Sequence, residues 1–174
     1  MADLSLVLAP QTAADQAAID KLDERVFGPG RFARSAYRLR EGVQADLRLS
    51  YIARVGTYLV GANRMTHIRC GETPVLLLGP LSVEPAFRSS GIGEALVNRS
   101  LEAARAAGHK HVILVGDLAY YQRMGFRPVP EGRLIFPGPV DPARLLYCPL
   151  TEEGFDGISG RVSRARLGEG TSAA

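Results

Sequence analysis

The feature that most constrains the fold is an apolar run at residues 74–83, PVLLLGPLSV. Because the run is apolar on both faces, it predicts a strand in the middle of a sheet. Gly79 and Pro80 interrupt it, and neither residue suits a regular ladder, since proline donates no hydrogen bond and glycine packs no side chain. We therefore expect a bulge there or a separation from the neighbouring strand. Strands that separate leave room for a ligand between them.

The segments next to this strand predict more strands and an amphipathic helix. Residues 47–55 and 58–69 are strand-like and are joined by a short turn, which predicts a hairpin. Residues 91–108 carry apolar residues at helical spacing, and residues 111–115 (HVILV) predict a buried strand. The loop that joins the strand at 74–83 to the helix at 91–108 therefore lies in the order strand, loop, helix, strand.

The remaining segments complete an α/β domain. A Gly-, Pro- and Arg-rich segment at 27–37 predicts irregular structure or a second short helix that can line a pocket. Further strands are expected at 4–10, 126–129 and 144–148. One helix is expected after Thr12, and a second over 118–124, which Asp117 caps and Gly125 ends. We predict a mixed, mostly antiparallel sheet of roughly six or seven strands, splayed near Gly79-Pro80, with helices on both faces.

Composition excludes several classes of function. A chain of 174 residues with 46% hydrophobic residues can bury a core without a metal or disulfide. Its net charge is only +3, and its basic residues are scattered along the chain, which argues against nucleic-acid binding. Cys70 and Cys148 form no metal-binding spacing, and the longest apolar run, 74–78, is far short of the ~20 residues of a membrane span. We expect a cytoplasmic protein with no metal and no membrane contact, built as one domain over 1–150 with a polar, weakly structured tail over 151–174.

The loop at residues 88–93, RSSGIG, lies between the buried strand and the amphipathic helix. The free N–H groups of a first helical turn and the helix dipole favour an anion there, and glycine lets a phosphate approach the backbone. This loop therefore predicts a pyrophosphate site.

Three phosphate-binding motifs can be compared with this loop. The chain contains no GxxxxGK[ST], and its closest GxGxxG match has Leu96 where the third glycine belongs. A third pattern, [Arg/Gln]-x-x-Gly-x-[Gly/Ala] after a strand that ends in Val-x-Pro, is matched at every defined position. The matching residues are Val83, Pro85, Arg88, Gly91 and Gly93.

Together with Tyr121-Gln122-Arg123-Met124-Gly125-Phe126 further along, this motif resembles the GNAT superfamily of N-acetyltransferases. The resemblance covers residues 4–149 and is most specific over 77–126. It implies direct transfer of an acetyl group from acetyl-coenzyme A (acetyl-CoA) to a primary amine of a small molecule or peptide, by a monomer or a homodimer. Two alternatives are a catalytically weak acyl-CoA-binding regulatory module of the same fold and an interaction domain without coenzyme.

The resemblance also implies a set of coenzyme-binding residues. The backbone of Leu81 and Val83 would pair with the pantetheine arm while Ser82 points away, and the N–H groups from Arg88 to Glu94 would surround the pyrophosphate. The implied set is Leu81, Ser82, Val83, Arg88, Ser89, Ser90, Gly91, Ile92, Gly93 and Glu94.

Tyr121 is the residue that the resemblance places near the coenzyme sulfur. A phenol with a pKa of ~10 is protonated at neutral pH, so Tyr121 can act as the general acid for a departing thiolate. The alternative is a purely packing tyrosine. Tyr120 is interpreted as structural, and Arg123 as a solvated surface residue.

The general base stays open at the level of sequence. Many relatives carry a glutamate on or beside the strand that residues 76–81 form here, and this segment has no carboxylate. A bound water, a group from residues 27–37 or His67 are the alternatives. Four side chains are weaker candidates. Glu72 and Glu84 flank the strand, and His109 and His111 are expected on the side remote from the coenzyme sulfur.

The acceptor entrance can be predicted from charge. Between residues 25 and 40 the chain has no Asp or Glu, but it has Arg25, Arg31, Arg34, Arg38 and Arg40. Such a segment would attract an amine that also bears a carboxylate or phosphate and would repel a polyamine. Alternatively, these arginines pair with carboxylates elsewhere or coat the surface.

Overall fold

The computed structural model describes residues 5–165. Its helices are α1 (Gln16–Phe27), α2 (Ser35–Arg40), α3 (Ile92–Ala106) and α4 (Leu118–Tyr121). Its strands are β1 (Leu6–Pro10), β2 (Tyr51–Val55), β3 (Tyr58–Cys70), β4 (Thr73–Val83), β5 (His111–Val115), β6 (Arg127–Pro128), β7 (Leu134–Ile135), β8 (Leu145–Pro149) and β9 (Gly160–Arg164). No helix in this part of the chain is long and apolar enough to cross a membrane.

The strands form one mixed sheet with the order β1-β2-β3-β4-β5-β8-β6. Along this path β4 and β5 are parallel, and the other neighbours are antiparallel. β9 pairs with the end of β3 that β2 does not reach, and β7 pairs with β9. The predicted α/β fold with a mostly antiparallel sheet is confirmed.

β4 lies in the middle of the sheet and buries side chains on both faces. Leu76 and Leu78 pack in the core that contains Val97 of α3. Val75 and Leu77 pack on the opposite face with elements that include α2 and β9. The run is apolar on both faces because neither face of β4 meets solvent.

Gly79 and Pro80 form a β-bulge that re-aims the end of β4. Asn63 of β3 pairs with Leu81 and Met65 pairs with Leu78, so β4 carries an extra residue between these pairs. As a result Leu81 packs on the α3 face, as Leu78 does, although residues three positions apart in a regular strand point to opposite faces. β5 pairs with β4 only at Leu76 and Leu77, so the predicted splay is confirmed.

The predicted C-terminal tail is partly wrong. Over 151–165 the chain is folded: β9 joins the sheet, and Phe155, Ile158 and Val162 are buried. These apolar residues are three and four positions apart, as in a helix, but the glycines at 154, 157 and 160 disfavour a helix, so no regular element was predicted there. Residues 166–174 of the predicted tail lie outside the described residues.

Candidate active site

The end of β4 opens onto two adjoining cavities. The loop cavity, of about 690 Å³, is lined by Leu81, Val83 and the loop at residues 88–94. The large cavity, of about 1420 Å³, is lined by α1, α2 and the facing ends of β4 and β5. Leu81, Arg88 and Tyr120 line both cavities, so the two meet where β4 and β5 separate.

The loop at residues 88–94 presents a row of free backbone donors. From Ser89 to Glu94 no backbone N–H group has an acceptor among residues 5–165. Ser89 and Gly91 have left-handed backbones, with φ of 66° and 83°. Alternation of left- and right-handed residues turns successive N–H groups toward one point, which forms an anion-binding nest. Space around Gly91 is open, and Arg88 is exposed beside it. The residues therefore fit a pyrophosphate.

Tyr120 rests directly on the start of α3. A Cβ atom added to Gly93 would overlap the Tyr120 hydroxyl, so a side chain there would require Tyr120 or the start of α3 to move. Sequence reasoning treated Tyr120 as structural and missed its position at the junction of the cavities. Arg123 is exposed, as predicted, yet it lines the loop cavity and lies 3.8 Å from Glu94.

The residues predicted to bind the pantetheine arm occupy the free edge of β4. From Leu78 onward β4 has no strand partner on the β5 side within the described chain. Leu81 and Val83 line the loop cavity, whereas Ser82 faces α1 and donates a hydrogen bond from Oγ to Asp23 Oδ1 at 2.7 Å. An extended group could pair with this edge as an added strand.

Tyr121 lines the large cavity and is held by close ring contacts. Its ring meets Phe126 edge-on at 5.7 Å and Tyr120 at 4.9 Å. A Cβ added to Gly116 would lie 2.5 Å from Tyr121 Cε2, so Gly116 makes room for the ring. Burial, followed by the neighbouring Tyr120, raises the pKa of Tyr121 above its ordinary value. The hydroxyl therefore stays protonated at neutral pH.

Sequence reasoning missed a buried carboxylate in the large cavity. Asp23 of α1 accepts the Ser82 hydrogen bond, and its Oδ2 lies 3.5 Å from Arg64. Burial raises the pKa of Asp23, although Ser82 and Arg64 act in the opposite direction. The available signal was helical spacing: Asp23 follows Ile19 and Leu22 on the buried face of α1.

None of the histidines and glutamates considered as bases from the sequence lines either cavity. His67 Nε2 lies 2.8 Å from Asp46 Oδ2, and Glu84 is paired with Arg25 at 2.8 Å. Glu72, His109 and His111 also lie outside both cavities. In the segment 27–37, which does line the large cavity as predicted, there is no carboxylate. Among the described residues, no group of three His, Cys, Asp or Glu side chains is arranged to hold a metal ion.

The arginines between residues 25 and 40 divide into two groups. Arg31, Arg34 and Arg40 line the large cavity. Arg25 instead pairs with Glu84, and Arg38 donates to the carbonyl oxygen of Pro137 at 3.1 Å. Pairing elsewhere therefore explains Arg25 but not the arginines that face the cavity.

A bulged central strand that separates from its parallel neighbour beside a loop with free N–H groups is the arrangement that the sequence resemblance predicts for an α/β domain that binds acetyl-CoA. Residues 47–128 match the family model of the acetyltransferase (GNAT) domain. Over this segment the chain is therefore similar to the GNAT superfamily, which its sequence motifs also resemble.

Curated relatives and solved structures agree with this assignment. The chain is 31% identical over 119 residues to "Uncharacterized N-acetyltransferase YjhQ" of Escherichia coli K12, covering 66% of each protein. It is 27% identical over 85 residues to "Uncharacterized N-acetyltransferase YhbS" of the same organism, covering 49% of this chain and 51% of that relative. It thus spans just under two thirds of the first relative and about half of the second.

The fold is similar to two solved GNAT structures along almost the whole chain. One is E. coli YhbS in complex with CoA, with a TM-score of 0.78, 23% identity, and coverage of 97% of this chain and 96% of that one. The other is a GNAT-family acetyltransferase from Brucella melitensis in complex with acetyl-CoA, with a TM-score of 0.69, 24% identity, and coverage of 93% and 97%.

Proposed function

We propose that this protein transfers an acetyl group from acetyl-CoA directly to a primary amine. The observation that carries the proposal is the junction of the two cavities, where a free strand edge and a row of free N–H groups adjoin a buried tyrosine and a buried carboxylate. When bound, acetyl-CoA supplies a thioester-activated acetyl group.

The loop and β4 hold and orient the coenzyme. Free N–H groups from Ser89 to Glu94 surround the pyrophosphate, and Arg88 adds a positive charge. The backbone of Leu81 and Val83 pairs with the extended pantetheine arm. The N–H group of Leu81 polarises the thioester carbonyl, as an oxyanion-hole donor does.

Tyr121 and Asp23 handle the two protons of the reaction. Tyr121 keeps its proton at neutral pH and gives it to the departing sulfur. Asp23 accepts the proton that the amine loses, and burial brings its pKa closer to neutral, where a general base is most effective. Ser82 is a positioning residue that fixes the Asp23 carboxylate through the 2.7 Å hydrogen bond.

Titration calorimetry with CoA tests the coenzyme site. We expect micromolar affinity for the wild-type protein and at least about tenfold weaker binding for Gly91→Glu, because the added carboxylate opposes the pyrophosphate. Gly108→Glu is the matched control, since Gly108 also has a left-handed backbone, φ 86°, and open space around it. Equal affinity of the Gly91→Glu variant and its control would reject the site.

Thiol release with a panel of amines tests the chemistry. Tyr121→Phe should lower kcat by about 10²-fold while CoA affinity stays nearly unchanged, because the variant loses only the hydroxyl that donates the proton. If Tyr121 only packs, the Tyr121→Phe variant should instead be less stable and keep most of its turnover. If the wild-type protein binds CoA and acetylates no amine, the regulatory acyl-CoA-binding module becomes the better assignment.

A further inference from the structure

Arg40 places a positive charge in the large cavity and has no ion-pair partner among residues 5–165. The residue ends α2, and its Nε is buried without any hydrogen-bond partner in the described structure. Its Nη2 occupies the space above Gly79, where a Cβ would come within 2.9 Å. Glycine at the bulge thus admits the guanidinium to the point where β4 and β5 separate.

Arg40 remains a cation despite its burial. Burial, and then the charge of Arg64, lower the pKa of Arg40 to about 10. The group is therefore still protonated at neutral pH. A half-buried cation without an ion-pair partner is costly, so a ligand that brings an anion to it gains more than it would at an exposed arginine.

The carboxylates that line the same cavity are already partnered. Asp20 and Asp23 lie 3.1 and 3.5 Å from Arg64, and Glu41 lies 3.7 Å from Arg164. Asp117 and Asp141 accept hydrogen bonds from backbone N–H groups at the start of short helical turns. None of these carboxylates pairs with Arg40.

Other arginines of the large cavity are also without an ion-pair partner between residues 5 and 165. Arg31 donates to the carbonyl oxygen of Gly28 at 2.8 Å and lies over the Phe32 ring. Arg34 lies over the Phe27 ring, and Arg144 lines the opposite wall. Neither a carbonyl nor an aromatic ring neutralises the charge, so the cavity has positive charge available for a ligand.

We propose that the large cavity binds the acceptor as a small amino carboxylate, with its carboxylate on Arg40 and its amine toward Asp23. This proposal rests on the proposed function, because it takes the acceptor to be an amine. Arg40 and Asp23 lie in one cavity and close enough for each charge to act on the other. A guanidinium offers a planar pair of donors that matches a carboxylate.

The sign and size of the charges favour a carboxylate over a phosphate and over a polyamine. Asp20 and Asp23 share the cavity with Arg40, so a singly charged anion meets less repulsion than a phosphate dianion does. A polyamine would place its further positive charges near Arg31 and Arg34. One amine and one carboxylate match the opposite charges that Asp23 and Arg40 place in the cavity.

Matched ligands test the proposal by binding as well as by activity. A panel of L-amino acids is compared with the corresponding L-amino acid amides, which keep the amine and the size but lack the negative charge. Titration calorimetry is done on the full chain with and without CoA, and acetyl transfer is followed by thiol release. For the best-bound amino acid, we expect at least tenfold tighter binding than for its amide.

Arg40→Gln should reduce this preference at least tenfold and leave CoA affinity unchanged. Arg105→Gln is the control, because Arg105 is an exposed arginine of α3 outside both cavities. If Arg40→Gln does not fold, Arg40→Lys, which keeps the charge but not the planar donor pair, should still weaken the preference. Equal binding of acids and amides, binding of neither, or an unchanged preference in the Arg40 variants would overturn the proposal.

The outcomes separate this proposal from the proposed function. A protein that acetylates amines without any preference for the acids keeps its function and loses this proposal. A protein that binds no CoA loses the proposed function, whereas selective binding of the acids to the coenzyme-free chain, dependent on Arg40, would still support the cavity assignment.

Discussion

At the scale of single residues, the hydrogen bond between Ser82 and Asp23 brings a carboxylate of α1 to β4, which has no carboxylate of its own over residues 76–81. The two residues are 59 positions apart, and only packing of α1 on β4 brings the hydroxyl to the carboxylate. No local pattern contains that contact, so the sequence predicted Tyr121 and the loop at 88–93 as candidate residues but not the base. Local motifs are visible in a sequence, and contacts made by packing are not.

The pH dependence of transfer tests Asp23. Because burial raises the pKa of Asp23 above 3.8, activity should fall as the pH is lowered through this raised pKa and the carboxylate gains a proton. We expect kcat/KM of the wild-type protein to show this acidic limb, and Asp23→Asn to be at least about tenfold slower and without it.

Acceptors of different basicity serve as the control for this prediction. A limb that reports Asp23 keeps its midpoint when the amine is changed, whereas a limb that reports the acceptor moves with the pKa of the amine. Ser82→Ala should shift the midpoint upward, because the Ser82 hydrogen bond lowers the pKa of Asp23. A midpoint that follows only the acceptor would count against Asp23 as the base.

At the scale of elements, patterns within one segment predicted more than pairings between distant segments. β5, His111–Val115, has the predicted bounds because its apolar run is short and continuous. β2 begins later than predicted, at Tyr51, because Asp46 accepts a hydrogen bond from the Arg48 N–H at 3.0 Å and holds a turn before it. β7 was not predicted, since its few residues are a strand only through pairing with β9.

The fit between α3 and α4 can be tested at Gly93. In Gly93→Ala the new Cβ meets the Tyr120 hydroxyl, and because the Tyr120 ring is packed against Tyr121 we expect the start of α3 to shift. We expect at least about tenfold weaker CoA binding, because a first helical turn binds an anion only while its N–H groups converge.

Removing the hydroxyl provides the control for this contact. The double variant Gly93→Ala/Tyr120→Phe has space for the Cβ and should recover most of the affinity for CoA, while Tyr120→Phe alone should bind CoA as the wild-type protein does. Calorimetry on the four proteins gives the coupling between the two sites. Independent, additive effects would show that Gly93 is required for another reason.

At the scale of the whole molecule, the sheet separates two sets of residues that the opening in it then reconnects. The loop at 88–94 and α3 lie on one face, and α1 and α2 with their charged side chains lie on the other. The bulge at Gly79-Pro80 and the splay of β5 join the two cavities. In the proposed function, the coenzyme and the acceptor would therefore reach the junction from opposite faces of the sheet.

The free energy of unfolding should depend on pH through Asp46, which joins the turn before β2 to β3. The side chain is 7% exposed and lies 3.0 Å from Arg48 Nη2 and 2.8 Å from His67 Nε2. Burial acts to raise its pKa, but hydrogen bonds from Arg48 and His67 outweigh burial and hold the pKa of Asp46 at about 2, below the 3.8 of a free aspartate. Because the folded pKa is the lower one, this contribution is present above about pH 4 and is lost as the pH falls toward 2.

Asp46→Asn should therefore cost about 1–2 kcal/mol at pH 6 and progressively less toward pH 2, measured by denaturant unfolding at each pH. Asp156→Asn, at an exposed position, is the control and should change little at any pH. A cost for Asp46→Asn that is the same at pH 6 and at pH 2 would show that the side chain stabilises the fold by packing and not by its charge.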